Sequence, residues 1–151
     1  MIHMRPATLD DSDALFSWRN DPDTCANSRS TAPVRREDHD RWMQFNVTQG
    51  YPQHLVLIAD SDGSRVGTVR FDAQRGDVMV YEASITVAPR ARGHGLAHHM
   101  LSEACGYMHE YTLLAVIREA NVASRRVFEG CGFDEIGSDH GFIKYRREPV
   151  S

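Results

Sequence analysis

The stretch VAPRARGHGLA, Val87 to Ala97, sets a proline, two arginines and two glycines between an alternating apolar run and a helical pattern. Gly93 and Gly95 lack a Cβ, so their backbone can adopt dihedrals other residues avoid and approach another group closely. The start of a helix leaves N–H groups without intrahelical acceptors and carries the positive end of the helix dipole. A strand, a glycine turn and a helix start in this order make an anion cradle.

Working outward, the residues before the cradle read as a strand over Val78–Val87. Two further runs precede it, His54–Ala59 and Val66–Phe71, separated by the polar turns SDGS and AQRGD. Three strands joined by short turns predict an antiparallel meander. After the cradle, Leu96, Ala97, Met100, Leu101, Ala104 and Met108 recur at helical spacing, which predicts a helix over His94–Glu110. Leu113–Ile117 reads as a short strand and Asn121–Cys131 as a helix. Phe133–Tyr145 reads as two strands around Asp139-His140-Gly141. Upstream, Ile2–Arg5 reads as a strand. Thr8 and Asp11 have the offset of an N-cap and its third residue, opening a helix that ends near Asp21-Pro22. A second helix is predicted over Val34–Asn46. The order β-α-α-β-β-β-α-β-α-β-β predicts an α/β layered domain with a mixed sheet.

The chain has 151 residues, enough for one domain, taken as 1–151, with 41% hydrophobic and 25% charged residues. Its net charge of −4 argues against nucleic acid as the main partner. Three cysteines, Cys25, Cys105 and Cys131, are odd in number and widely spaced, which argues against a disulfide framework or a zinc site. His94 and His98 are four residues apart, but no third ligand completes a metal site, so none is expected. The N-terminus has no apolar stretch of signal-peptide length, and no run is long enough to span a membrane. A cytoplasmic protein is expected, and a homodimer is left open.

Two blocks carry a family resemblance. Arg90-Ala91-Arg92-Gly93-His94-Gly95 matches the pattern [R/Q]-x-x-G-x-[G/A], and REANVASRRVFEGCGF supplies Asn121, Ser124, Gly132 and Phe133 in register downstream. With this spacing and element order the chain resembles the GNAT acetyltransferases, whose donor is acetyl-coenzyme A. The resemblance implies a mixed, mostly antiparallel sheet flanked by helices. A dinucleotide-binding turn is the rival, but its third glycine falls on His98 and three meander strands come first. The cradled anion would then be the coenzyme's pyrophosphate, on the N–H groups of Arg92, Gly93, His94, Gly95, Leu96 and Ala97. Ile85, Thr86 and Val87 would hold the pantetheine arm, and Asn121, Ser124 and Phe128 would complete the coenzyme site.

An amine must lose a proton before it attacks a thioester, and a carboxylate can take it. In VMVYEASITV, Val80, Glu82, Ser84 and Thr86 share one face of the strand. Glu82, where several family members carry a base, is the candidate base, with a solvent-facing surface glutamate as its bland alternative. Many members place a tyrosine in the later helix to protonate the leaving thiolate; the matching residue here is Phe128, which has no proton to give. Water, Tyr81 or Ser124 would take that role. LFSWRNDPDT, VRREDHDRWM and VGTVRFD resemble the subgroup acting on nucleotide-linked amino sugars, through Trp18, Arg19, Asn20, His39, Trp42 and Arg70. Arg19, Asn20, His39 and Trp42 are the candidate acceptor residues. Two alternatives stand beside this reading: acetylation of a protein or peptide N-terminus, and a non-catalytic acyl-coenzyme A-binding domain.

Overall fold

Side chains that alternate between two environments govern the middle of the chain. The burial of β5 (Thr112–Arg118) shows this: Leu113, Ala115 and Ile117 are buried while their neighbours are half-exposed. The computed structural model describes residues 1–75 and 77–150. Its sheet contains β1 (Ile2–Pro6), β2 (His54–Ser61), β3 (Ser64–Gln74), β4 (Asp77–Val87), β5, β6 (Asp134–Asp139) and β7 (Phe142–Arg147). They lie in the order β1-β2-β3-β4-β5-β7-β6. Every neighbouring pair is antiparallel except β4 and β5. The mixed, mostly antiparallel sheet expected from the sequence is therefore present.

The parallel pair is short. Val80, Tyr81 and Glu82 pair with Thr112, Leu113 and Leu114, and there the pairing stops. Beyond it β4 stays with β3 up to Val87, paired with Gly67, while β5 stays with β7 up to Arg118, paired with Phe142. The two central strands thus splay apart, and the sheet has a gap at its middle.

Among the described residues, five α-helices cover the faces: α1 (Ser12–Arg19), α2 (Pro22–Asn27), α3 (Arg36–Met43), α4 (Leu96–Tyr107) and α5 (Val122–Gly130). The two helices expected before β2 leave out α2, because Asp21-Pro22 reads there only as the end of the first. Proline at the first helical position is instead a start signal. Asp21 caps α2, its Oδ2 accepting from the Thr24 N–H at 3.3 Å. The helix predicted over Val34–Asn46 is α3 followed by a short π-helical turn, Gln44–Thr48.

On one face, α4 lays Met100, Leu101, Ala104 and Cys105 into the core with Val69, Phe71, Ala83 and Leu113. Gly67 lets the helix come this close. A Cβ there would lie 2.5 Å from both Met100 Cε and the Thr86 carbonyl oxygen. On the other face, Leu15, Trp18 and Met43 are buried in the same cluster.

Asp11 joins the first helix to the sheet. Its fully buried carboxylate accepts from Arg5 at 2.8 and 2.9 Å, Arg65 Nε at 2.7 Å and the Thr8 N–H at 2.8 Å. Burial alone would raise its pKa. The bonds from Arg5, Thr8 and Arg65 outweigh this and hold the carboxyl well below the usual range.

Candidate active site

The donor side is built where β4 hands over to α4. A turn over Pro89–Ala91 is followed by Gly93 at φ +83° and Gly95 at φ +69°. Gly95 caps α4 without a side-chain bond, and no acid lies in the helix's first turn. Among the described residues, the N–H groups of Gly93, His94, Gly95, Leu96 and Ala97 have no acceptor. Five N–H donors without acceptors at a helix N-terminus suit the charge of a diphosphate. Arg92 turns away from this loop. Its guanidinium meets Asp21 at 3.0 Å, Thr24 Oγ1 at 3.1 Å and Asp23 at 3.4 Å, and Nε donates to the Val87 carbonyl at 3.3 Å. Arg92 therefore fastens the cradle to α2.

The phase of β4 follows from one bond, the Ala88 N–H to the Val66 carbonyl at 2.8 Å. Backbone groups alternate along a strand, so Ser84 and Thr86 bond towards β3. Ile85 and Val87 then turn their N–H groups into the gap beside β5. The side chain of Thr86 lies elsewhere, lining a cavity on the sheet face below α1 and α3.

The second block divides. Asn121 caps α5, accepting from the Ser124 N–H at 3.2 Å. Phe128 is 1% exposed and packs edge-on against Phe133, ring centroids 4.9 Å apart. The Tyr81 hydroxyl donates to the Pro52 carbonyl at 2.7 Å.

The cavity encloses about 280 Å³. Leu15, Trp18 and Arg19 of α1 line it, with Val34, and Asp38, His39 and Trp42 of α3. Val56, Thr68, Arg70, Ser84 and Thr86 form its sheet wall. His39 is 3% exposed, and its ring stacks on Trp42 with centroids 5.9 Å apart. Its Nε2 lies 2.9 Å from the Ser12 carbonyl oxygen; a carbonyl only accepts, so Nε2 carries the proton. Burial lowers its pKa and favours the neutral ring. Arg19 donates to the Ser30 carbonyl at 3.1 Å. Asn20 holds Val34, donating to its carbonyl at 2.9 Å and accepting from its N–H at 2.7 Å.

Glu82 shares the strand face of Ser84 and Thr86, just beyond the cavity. Its side chain is 15% exposed and its Oε1 lies 2.5 Å from Arg29 Nη2. Across the sheet, Glu82 is in register with Asp72, and Asp72 with His54. Asp72 Oδ1 lies 2.7 Å from His54 Nδ1, and Oδ2 accepts from Arg70 Nε at 2.8 Å.

The model of the acetyltransferase (GNAT) domain family matches residues 2–134. This chain belongs to the GNAT acetyltransferase family. It is accordingly an acyltransferase, and acetyl-coenzyme A is the donor the family uses. No curated protein matches the sequence of this acetyltransferase. Solved structures do. A ribosomal-protein-alanine N-acetyltransferase from Brucella melitensis is 25% identical, with 97% of this chain and 99% of that chain covered and a TM-score of 0.78. A phosphinothricin acetyltransferase from Sinorhizobium meliloti, in complex with AcCoA, is 21% identical over 97% and 87% of the chains, TM-score 0.79. A spermidine N-acetyltransferase from Vibrio cholerae, in complex with CoA and spermine, is 16% identical over 96% and 92%, TM-score 0.80. None of these three is named for an amino sugar.

Sequence reasoning missed Arg29, His54 and Asp72. Strand alternation places Asp72 on the face of Arg70, so that signal was legible. Arg29 lies 53 residues from its partner Glu82, and nothing local marks the pair.

Proposed function

We propose that this acetyltransferase moves the acetyl group of acetyl-coenzyme A onto a primary amine of a small acceptor, by direct attack within a ternary complex. One observation carries the reading: β4 serves both sides at once. Ser84 and Thr86 face the cavity, while the backbone of Ile85 and Val87 faces the gap reached from the diphosphate cradle. An acceptor in the cavity and an acyl group in the gap therefore meet across one strand.

In this scheme acetyl-coenzyme A supplies a thioester. Glu82 takes the proton of the attacking ammonium, directly or through water. The amine nitrogen forms a bond to the acetyl carbon, the carbon–sulfur bond breaks and the sulfur leaves with the electron pair; the second proton of the nitrogen passes through water to the thiolate, leaving the neutral amide and the free thiol of coenzyme A. The N–H groups of Ile85 and Val87 would stabilise the charge growing on the carbonyl oxygen. A thiol pKa of roughly 8.5 makes the sulfur a tolerable leaving group, so the lack of a hydroxyl on Phe128 leaves the reaction feasible. Gly93 to Ala97 hold the diphosphate through backbone N–H groups, with Asn121 and Ser124 at the neighbouring helix start.

We assign a nucleotide-linked amino sugar as the acceptor class. Trp18 and Trp42 offer apolar faces, Arg19 and Arg70 offer donors, and about 280 Å³ suits one sugar ring with the nucleotide outside. The 25% identity to a ribosomal-protein-alanine N-acetyltransferase favours a second reading, a protein N-terminus. A peptide would have to thread past the segment after α2, which Arg118 and Arg19 fasten at Ser28 and Ser30. The deciding experiment incubates the protein with acetyl-coenzyme A and either a uridine-diphosphate amino sugar or a peptide beginning with alanine, and follows thiol release. Faster release with the sugar nucleotide supports the assignment; release with the peptide alone replaces it. Coenzyme binding with no release over a broad amine panel would make the chain a non-catalytic binder.

A further inference from the structure

We propose that the acceptor carries an anion, a phosphate or a carboxylate, within a few bonds of its amine, and that Arg70 reads it. The inference rests on the reading of the cavity as the acceptor site.

Arg70 Nε is bonded to Asp72, yet among the described residues neither of its Nη groups has an acceptor. The guanidinium carbon lies 5.7 Å from the Trp42 ring centroid, so Trp42 covers one face and leaves the Nη edge open. A guanidinium held at Nε by a carboxylate and backed by an aromatic face presents its remaining donors as a planar fork, the shape that matches two oxygens of an anion. Its orientation is fixed from behind. Asp72 holds Nε with one oxygen, and its other oxygen lies 2.7 Å from His54 Nδ1. Asp72 and His54 are positioning residues in this scheme, and Arg70 is the specificity determinant.

The charges of the cavity agree. Arg19 and Arg70 are cations on its wall. Asp38 is the carboxylate on that wall, and it is already bonded to Arg35 and Arg41. Two guanidiniums against one carboxylate leave the lining itself net positive, with Arg70 bonded to Asp72 behind it, although the incoming amine is itself a cation before it loses its proton. A polyamine would meet like charges here, whereas an acceptor with its own anion would be drawn in. Register sets the span. Arg70 pairs with Ser84, and Glu82 lies two residues back on the same face, roughly 7 Å along the strand. An amino acid or a phosphorylated amino sugar bridges that distance.

The test uses the full chain with saturating acetyl-coenzyme A and follows thiol release from matched amines: glucosamine 6-phosphate against glucosamine, methionine against methioninamide, and spermidine. The anion-bearing member of at least one pair is expected to show about tenfold or higher kcat/KM than its partner, with spermidine poor. The pair with the larger ratio separates phosphate from carboxylate. Arg70→Met is expected to erase the ratio, with the loss falling on the KM of the anion-bearing partner. Asp72→Ala is expected to weaken it in the same way, and Arg70→Lys to restore part of it. A second readout needs no turnover: inorganic phosphate is expected to change tryptophan fluorescence saturably in the wild type and not in Arg70→Met. Equal kcat/KM within both pairs, with turnover present, overturns the anion inference and leaves the acetyltransferase reading standing. A saturable phosphate response with no amine turned over, the uridine-diphosphate amino sugar included, supports the anion site and overturns the acceptor reading. No response in either assay overturns both.

Discussion

Arg29 Nη2 stands 2.5 Å from Glu82 Oε1, joining the segment after α2 to the face of β4 that carries the candidate base. Arg29 is 60% exposed and Glu82 only 15%, so the guanidinium covers much of the open side of the carboxylate. An acceptor ammonium that gives its proton to Glu82 has to displace it. An ion pair with one exposed partner is worth about 0.2–1 kcal/mol. Arg29→Ala is therefore expected to lower the acceptor KM by up to about fivefold with kcat little changed. Steady-state kinetics with a turned-over amine check this; a raised KM would mean that Arg29 orients Glu82 instead of competing at it.

Replacing Glu82 by glutamine keeps the size and an oxygen for Arg29 but removes the proposed base. Turnover is expected to fall by about 10²–10⁴-fold. Coenzyme affinity is expected to stay the same, because the cradle lies at the other end of β4. Thiol release and calorimetry with coenzyme A measure the two quantities separately. Undiminished turnover would move the base to another group.

Gly95→Ala probes the cradle. Nothing lies within 4 Å of a Cβ built at Gly95, so the substitution meets no steric wall. Its φ of +69° is nonetheless unfavourable for an L residue, by roughly 1–2 kcal/mol. The loop is expected to relax away from this geometry, weakening coenzyme A binding about tenfold or more in calorimetry while the melting temperature falls by only a few degrees. Unchanged affinity would show that the N–H groups of residues 93 to 97 do not grip the coenzyme.

Asp11 governs acid stability. Its native pKa is depressed, so its stabilisation is present above the unfolded carboxylate pKa of about 3.9 and is lost as pH falls below that value. Asp11→Asn is expected to destabilise the fold at neutral pH by about 2–3 kcal/mol. That is less than the ~3–5 kcal/mol for breaking a wholly buried pair, because Arg5 and Arg65 are 30% and 40% exposed. Urea titrations at pH 7 and pH 3.5 check both points: the gap between variant and wild type narrows at the lower pH.

The donor side of the site was legible in the amino-acid sequence because it is local. Strand, glycine turn and helix start follow one another within VAPRARGHGLA, and the groups proposed to bind are backbone N–H groups, so no distant side chain had to be located. Strand order within the meander was equally local. The helix α2 was readable in principle from Asp21-Pro22, as an N-cap followed by proline. The acceptor side required the tertiary fold. Asn20, a candidate acceptor residue in the sequence, bonds the backbone of Val34, while Trp42, His39 and Arg70 meet at one cavity only because α3 packs over β3. Arg29 reaches Glu82 across 53 residues, and His54, Asp72 and Glu82 form one row only through the register of three strands. Periodicity records which face of an element a residue occupies; which elements share that face is decided by packing, and there the acceptor chemistry was set.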